Sequence, residues 1–354
     1  MTISFSDWRE YGENLGRFAS IRERADSPQD RIVIQNKGGV QKVIAGDYGK
    51  TIIVTVGETD QPNGRAVVGS RLLLTTLKTL KGKGDAVLRV TADGAAISTT
   101  FGSEITLDNV TGAFKLLTPQ PYVEGKGRVI RFDEGFLPSA SKYLVTTAEH
   151  RPFNQVLGEC KGLGFMLRSC DDHIMAEVGP LDAEDYFTVH FPDHVFPALK
   201  GLESAGGIYI PEHTGPQVHQ AQFGAGKYRV ICVIYPDYGK FPRVAKQDYT
   251  ARVTGDRKVL VDAFKSLAGR HTYHRVVMEV SGDSFIIRSG DNGAAKVNID
   301  SEGTGTLPVN ASFIAKVLSA VDGKNATVEF SDSPSNVRVT GDKNGWPLLV
   351  SPMN

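Results

Sequence analysis

The stretch Val67-Val68-Gly69-Ser70-Arg71-Leu72-Leu73-Leu74-Thr75-Thr76-Leu77-Lys78-Thr79-Leu80-Lys81-Gly82 decides the fold, because its pattern occurs three times. A short apolar run leads into a helix start. Leu73, Leu77 and Leu80 then fall at i, i+4 and i+7, one face of a helix. Gly82 ends the helix and the apolar strand Ala86–Val90 follows. A second copy runs from Val189 through Asp193 to Leu202, with Val195, Leu199 and Leu202 at the same offsets; Gly206-Gly207 and the strand Ile208–Ile210 come after it. A third runs from Leu307 through Asn310 to Gly323, with Ile314, Leu318 and Val321, and then Ala326–Phe330. The interval, roughly 120 residues, is too long for a solenoid unit and suits a small domain.

Working outward, each copy sits late in a larger block that opens with another helix. Tyr11, Leu15 and Phe18 mark that helix in the first block, Phe136, Ala140 and Tyr143 in the second, and Leu260, Phe264 and Leu267 in the third. Between the helices lie β-rich runs such as Arg31–Ile34, Thr51–Val56 and Arg275–Val280. Ala92-Asp93-Gly94, Gly224-Ala225-Gly226 and Ser281-Gly282-Asp283 read as hairpin turns. Two helices covering one face of a mainly antiparallel sheet give an α+β domain. The pattern resets at Pro119–Gly127 and at Lys246–Tyr249, so the expected domains are 1–125, 126–248 and 249–354.

The chain has 354 residues, 40% of them apolar, enough for two or three cores. Its 40 basic and 40 acidic residues cancel, so attraction to a polyanion must come from local segregation of charge. Met1–Trp8 has neither the basic start nor the apolar core of a signal peptide, and no run suits a membrane span. Cys160, Cys170 and Cys232 lack metal-ligand spacing and are odd in number, which predicts free thiols in a reducing cytoplasm.

No catalytic motif emerges. The chain has no phosphate-binding Gly-rich loop ahead of a helix, no His-Glu-x-x-His and no Gly-x-Ser-x-Gly. Asp171-Asp172-His173 is the best metal candidate and the basis for a metal-dependent hydrolase, but three adjacent turn residues rarely converge on one ion. A polar turn is the better reading, and neither metal nor cofactor is expected. His271 and His274 read as a solvated loop, and Cys170 as a buried thiol. The basic residues say more. Arg71, Lys78, Lys81 and Lys83 occur with no acid between them; Arg17, Arg22 and Arg24 cluster after the first helix; Arg257, Lys258, Lys265, Arg270 and Arg275 stand against Asp262 alone. Repetition on helices, with little aromatic interleaving, points to phosphate contact without reading of bases.

These features resemble the bacterial DNA polymerase III β subunit, the sliding clamp. The resemblance covers the whole chain. It is carried by Pro308–Leu318, by Leu348–Met353, by Tyr235-Pro236-Asp237-Tyr238, and by Cys170–Met175 where the family has Thr-Asp-Gly-His-Arg-Leu. It implies a non-enzymatic processivity factor: a head-to-tail homodimeric ring in the cytoplasm, with helices lining a hole, antiparallel sheets outside and duplex DNA threaded through. DNA contact then falls to Arg22, Arg24, Arg71, Lys78, Lys81, Arg151 and Arg270. Polymerase and clamp-loader subunits would insert linear peptides between the second and third domains, at Phe153, Cys170, His173, Ile174, Met175, Pro236, Lys240, Phe241, Leu349, Val350, Pro352 and Met353.

Ile174 replaces the family's Arg and Asp172 its Gly, and Ser351-Pro352-Met353-Asn354 replaces Met-Pro-Met-Arg, giving a more apolar, less basic pocket. These departures also fit an alternative, a divergent paralogue or mobile-element clamp serving a dedicated repair or replication partner. The expected ring joint pairs Ser103–Asp108 of one chain with Lys296–Asp300 of the other, through Ile105, Leu107, Val297 and Ile299.

Overall fold

The computed structural model describes residues 2–19, 30–47, 49–110, 116–122, 126–145, 155–162, 164–212, 219–235, 247–268, 274–290, 293–332 and 334–353. The order of elements repeats three times. The first block is β1 (Ile3–Ser4), α1 (Phe5–Gly16), β2 (Arg31–Lys37), β3 (Val40–Gly46), β4 (Lys50–Glu58), β5 (Gly64–Gly69), α2 (Ser70–Thr79), β6 (Asp85–Val90), β7 (Gly94–Thr99) and β8 (Glu104–Asp108). The second is β9 (Arg128–Phe132), α3 (Phe136–Val145), β10 (Gln155–Lys161), β11 (Phe165–Cys170), β12 (Ile174–Leu181), β13 (Tyr186–Pro192), α4 (Phe196–Leu199), β14 (Gly206–Ile210), β15 (Gln220–Ala225) and β16 (Tyr228–Val233). The third is β17 (Ala251–Asp256), α5 (Arg257–Ala268), β18 (Arg275–Ser281), β19 (Ser284–Arg288), β20 (Ala294–Val297), β21 (Asp300–Asn310), α6 (Ala311–Ala320), β22 (Asn325–Phe330), β23 (Val337–Gly341) and β24 (Leu348–Val350).

Each block makes two four-stranded antiparallel groups rather than the single sheet expected from sequence. In the first block they are β5-β2-β3-β4 and β1-β6-β7-β8, and the other blocks repeat that order. Blocks join edge to edge by one rule. The fourth strand of a block pairs antiparallel with the eighth strand of the next: β4 with β16, and β12 with β24. Among the described residues three sheets result, of 4, 8 and 12 strands. The longest turns a corner inside β21, whose start pairs with β17 and whose remainder pairs with β18. Gly303 sits at that corner with φ +81, where a side chain would strike the Thr250 carbonyl.

By its contacts the chain divides into two compact units, and the middle block is shared between them. One unit is Met1–Pro138 with His194–Pro236; the other is Ser139–Asp193 with Asp237–Asn354. The 4- and 8-stranded sheets lie in the first unit and the 12-stranded sheet in the second.

Local chemistry explains the helices. Ser4 caps α1 by accepting from the Asp7 amide, and Trp8, Tyr11 and Leu15 form its buried stripe. Gly12 lets α2 approach closely, since a Cβ there would lie 3.1 Å from that of Leu77. Leu73 and Leu77 are 1% exposed, and burying each contributes about 1.5–3 kcal/mol. Asn310 caps α6 by accepting from the Ser312 and Phe313 amides. The expected helix of the second copy shrinks to the single turn of α4 behind a 3-10 turn, Asp193–Val195. Pro192 and Pro197 withhold amides there, yet Val195, Leu199 and Leu202 still fill the core.

Candidate functional site

The α2 helix presents Arg71, Thr75 and Lys78 on its exposed side, at i, i+4 and i+7, with Lys81 and Lys83 exposed just beyond its end. In the other unit, α5 repeats the spacing with Lys258, Asp262 and Lys265, while Leu260, Phe264 and Leu267 face the core. Lys258 and Lys265 join the candidate surface because their helix exposes them, which the charge count alone did not separate from Arg257. The Arg257 guanidinium donates to the Gly323 and Ser319 carbonyls at 3.1 and 3.2 Å, and so is spent closing the end of α6. Lys142 on α3 is also committed, 3.0 Å from Asp322. Beside it, burial pushes the Tyr143 hydroxyl up to about 12.

Helix α1 is not basic on its outer side. Arg9, Glu10 and Glu13 are exposed there, and Glu10 accepts a 2.5 Å hydrogen bond from the Tyr228 hydroxyl. Burial, followed by that carboxylate, raises the Tyr228 pKa. Lys227 donates to the Tyr11 hydroxyl at 2.8 Å; this bond raises its pKa against the opposing effect of burial.

A second feature lies within the 12-stranded sheet. Cys170 pairs with Met175, and Met175 with Leu349, so three apolar side chains line up across three strands. Each is less than a tenth exposed, at 3%, 6% and 8%. Alternation along the strands turns Ile174 and Val350 the other way, into the core at 2% and 0%, which corrects their expected place in a pocket. The chain then runs on past β24: the Ser351 amide donates to the His173 carbonyl, the Met353 amide to that of Pro308, and Pro352 and Met353 are half-buried. The His173 ring stacks on Phe313 at 4.9 Å. The Asp171 carboxylate accepts from the His173 and Ile174 amides at 2.7 and 2.6 Å, the geometry of a turn.

Among the described residues no group of three potential ligands could hold a metal. The three cysteines are buried and form no disulfide, and burial pushes the Cys232 thiol up to about 12. No helix of the described residues is long and apolar enough to cross a membrane.

No family model matches the chain, and no curated protein matches its sequence. Solved structures do match it. A Thermotoga maritima DNA polymerase III β subunit aligns with a TM-score of 0.78 at 17% identity, over 100% of this chain and 98% of its own. The Pseudomonas aeruginosa DnaN sliding clamp bound to griselimycin gives 0.77 at 19%, over 100% and 99%. The Bacillus subtilis DNA polymerase sliding clamp gives 0.76 at 16%, over 100% and 98%.

The fold is that of a bacterial sliding clamp.

Clamp-fold likeness at such identities rests on the order and pairing of elements, not on side chains. Of the residues nominated for DNA contact, Arg71, Lys78 and Lys81 are exposed together on and after α2; Arg22, Arg24, Arg151 and Arg270 lie outside the described residues. Of those nominated for the pocket, Phe153, Pro236, Lys240 and Phe241 lie outside them too. Of the residues expected at a ring joint, Leu107 is buried and Ile105 half-buried on β8, while Val297 is the last residue of β20. Ile299 lies past that strand, against Gly255, so the edge strand is Ala294–Val297 rather than Lys296–Asp300. Asp300 already belongs to β21.

Proposed function

We propose that this protein is a sliding clamp: a non-enzymatic processivity factor, homodimeric and cytoplasmic, that encloses duplex DNA and tethers polymerase and clamp-loader subunits through their linear peptides. The observation that carries this reading is the joint rule. Applied once more, it calls for the fourth strand of the third block, β20, to pair with the eighth strand of a following first block, β8. Both are end strands of their sheets among the described residues. A second copy would satisfy both, head to tail, making six blocks in a closed cycle. The domains would then be the three blocks, with joints near residues 125 and 248.

The basic stripes on α2 and α5 suit phosphate contact, and zero net charge suits a grip loose enough to slide. The row Cys170, Met175 and Leu349 suits the apolar anchors of partner peptides. The deciding experiment loads the protein onto nicked circular DNA and raises the salt. Retention on the circle with release on linearisation is expected. Equal retention on both forms, or a monomer by light scattering at micromolar concentration, would overturn the reading.

A further inference from the structure

The repeat lets one block be compared with the others position by position. Strands β2, β10 and β18 are each seven residues long, so their fifth residues correspond: Gln35, Glu159 and Glu279. Their third residues, Val33, Leu157 and Val277, pair with Ile44, Arg168 and Arg288 on the next strand. In the second and third blocks these positions form ion pairs, Arg168 with Glu159 at 2.6 Å and Arg288 with Glu279 at 2.8 Å. The second block extends its pair into a lattice, through Glu177 at 2.7 Å from Arg168 and Lys161 at 2.6 Å from Glu159.

The first block has lost this lattice. Glu is Gln35, Arg is Ile44, and the counterpart of Glu177 is Ile53, the partner of Ile44. An open cavity of about 570 Å³ lies there, floored by Val33, Ile44 and Ile53 and walled by Leu116 and Leu117. Two cations remain at its rim. Lys37 corresponds to Lys161 but has no carboxylate beside it. Arg65 lies opposite Gln35 on β5. Among the described residues neither side chain has an ion-pair or hydrogen-bond partner, and no acid lines the cavity.

We infer that this cavity is a docking site for an extended acidic peptide of a partner protein, seating one apolar side chain on the floor and two carboxylates on Lys37 and Arg65. Charge complementarity argues for the acids, since replacement of the ion-pair lattice leaves positive charge unbalanced beside apolar surface. Spacing argues for an extended chain. Lys37 and Arg65 are diagonal cross-strand neighbours, roughly 7–8 Å apart, close to the roughly 6.8 Å between side chains on one face of a strand. Openness argues against a small molecule, which buries most of its surface in its site. The site needs no DNA and shares no residue with the row Cys170, Met175 and Leu349, so it stands or falls separately from the clamp reading.

The test uses the full-length protein and a fluorescent heptapeptide with Glu at positions 1 and 3, Leu at position 5 and Ser elsewhere. Anisotropy should show saturable binding, weakened about tenfold or more when both Glu are replaced by Gln or when Lys37→Glu and Arg65→Glu are combined. Both protein positions are exposed, so thermal unfolding should not change. Gln35→Glu with Ile44→Arg should rebuild the ion pair of the other blocks and close the site, and Met175→Ala should leave binding as it was. Absence of binding, equal binding of the Gln peptide, or binding that survives the charge reversal would overturn the proposal. So would 4-phenylbutyrate competing as strongly as the peptide, because a small molecule would then suffice.

Discussion

The joint inside the first unit and the joint inside the second share one backbone plan and differ in what covers them. Five residue pairs link β4 to β16, whereas three link β12 to β24. At the first joint polar side chains hold the segment that crosses it. Thr51, opposite Ile231, accepts from the Leu117 amide at 3.3 Å, and Gln220 and Gln222 donate to the Thr118 and Gln120 carbonyls. The connecting segment is thus strapped down by hydrogen bonds. At the second joint the equivalent pair is Met175 and Leu349, with Cys170 beside them, and no hydroxyl replaces that of Thr51. The ladder holds the blocks together at both places. The face above it carries a strap at one joint and an apolar row at the other.

The comparison breaks most readily at the ladder. Leu348 and Val230 are both fully buried at their joints. Leu348→Ala should cost about 2–5 kcal/mol and Val230→Ala about 2 kcal/mol in urea unfolding. With only three pairs to lose, β24 should also open first, read as faster amide exchange at Met175 than at Ile53. Equal exchange would mean that ladder length does not matter. A smaller effect is expected from Thr51→Val, which strands the Leu117 amide for about 1 kcal/mol and should expose that amide to exchange without loosening β4 from β16.

Acid sharpens the contrast with the least energy. Burial raises the Glu159 pKa, but the hydrogen bond to Lys161 and the charges of Lys161 and Arg168 outweigh it and leave the carboxyl below its ordinary value of 4.5. A depressed carboxylate contributes stability in full above its unfolded pKa and loses it as pH falls through the folded one. The second unit should therefore lose protection below pH 4.5 through this group, while Gln35, its counterpart in the first, has nothing to titrate. Glu159→Gln should abolish that pH-dependent part, and a variant with an unchanged acid profile would contradict the assignment.

The helices α2 and α5 and the turns are legible because their signals are local, whereas Pro192 and Pro197 cut short the helix that the same spacing predicts through Val195, Leu199 and Leu202. The 3.6-residue spacing of Leu73 and Leu77 and the hairpin at Ala92-Asp93-Gly94 need no distant partner. The β20 boundary was misjudged because an alternating run continues through Ile299, and only the approach to Gly255 takes that residue off the edge. Cys170 and Leu349 are far apart in sequence and only the resemblance joins them there; Ile174 and Val350 belong to the same runs, and alternation along a strand sends them to the opposite face. The Lys37 and Arg65 site had no local signal. It emerges from what Gln35, Ile44 and Ile53 lack relative to two other blocks, and that needs the strand register.

The place of β24 has a consequence for synthesis. It fills a gap in the middle of a 12-stranded sheet, between β12 and β23, yet its residues are translated long after Ile174. At about 5–20 residues per second the ribosome needs roughly 9–35 s to travel from one to the other. During that interval β12 carries an unpaired edge of the kind that recruits foreign strands. Three residues, Leu348–Val350, then seal it, so a chain that stops before Leu348 would be released with its largest sheet still open.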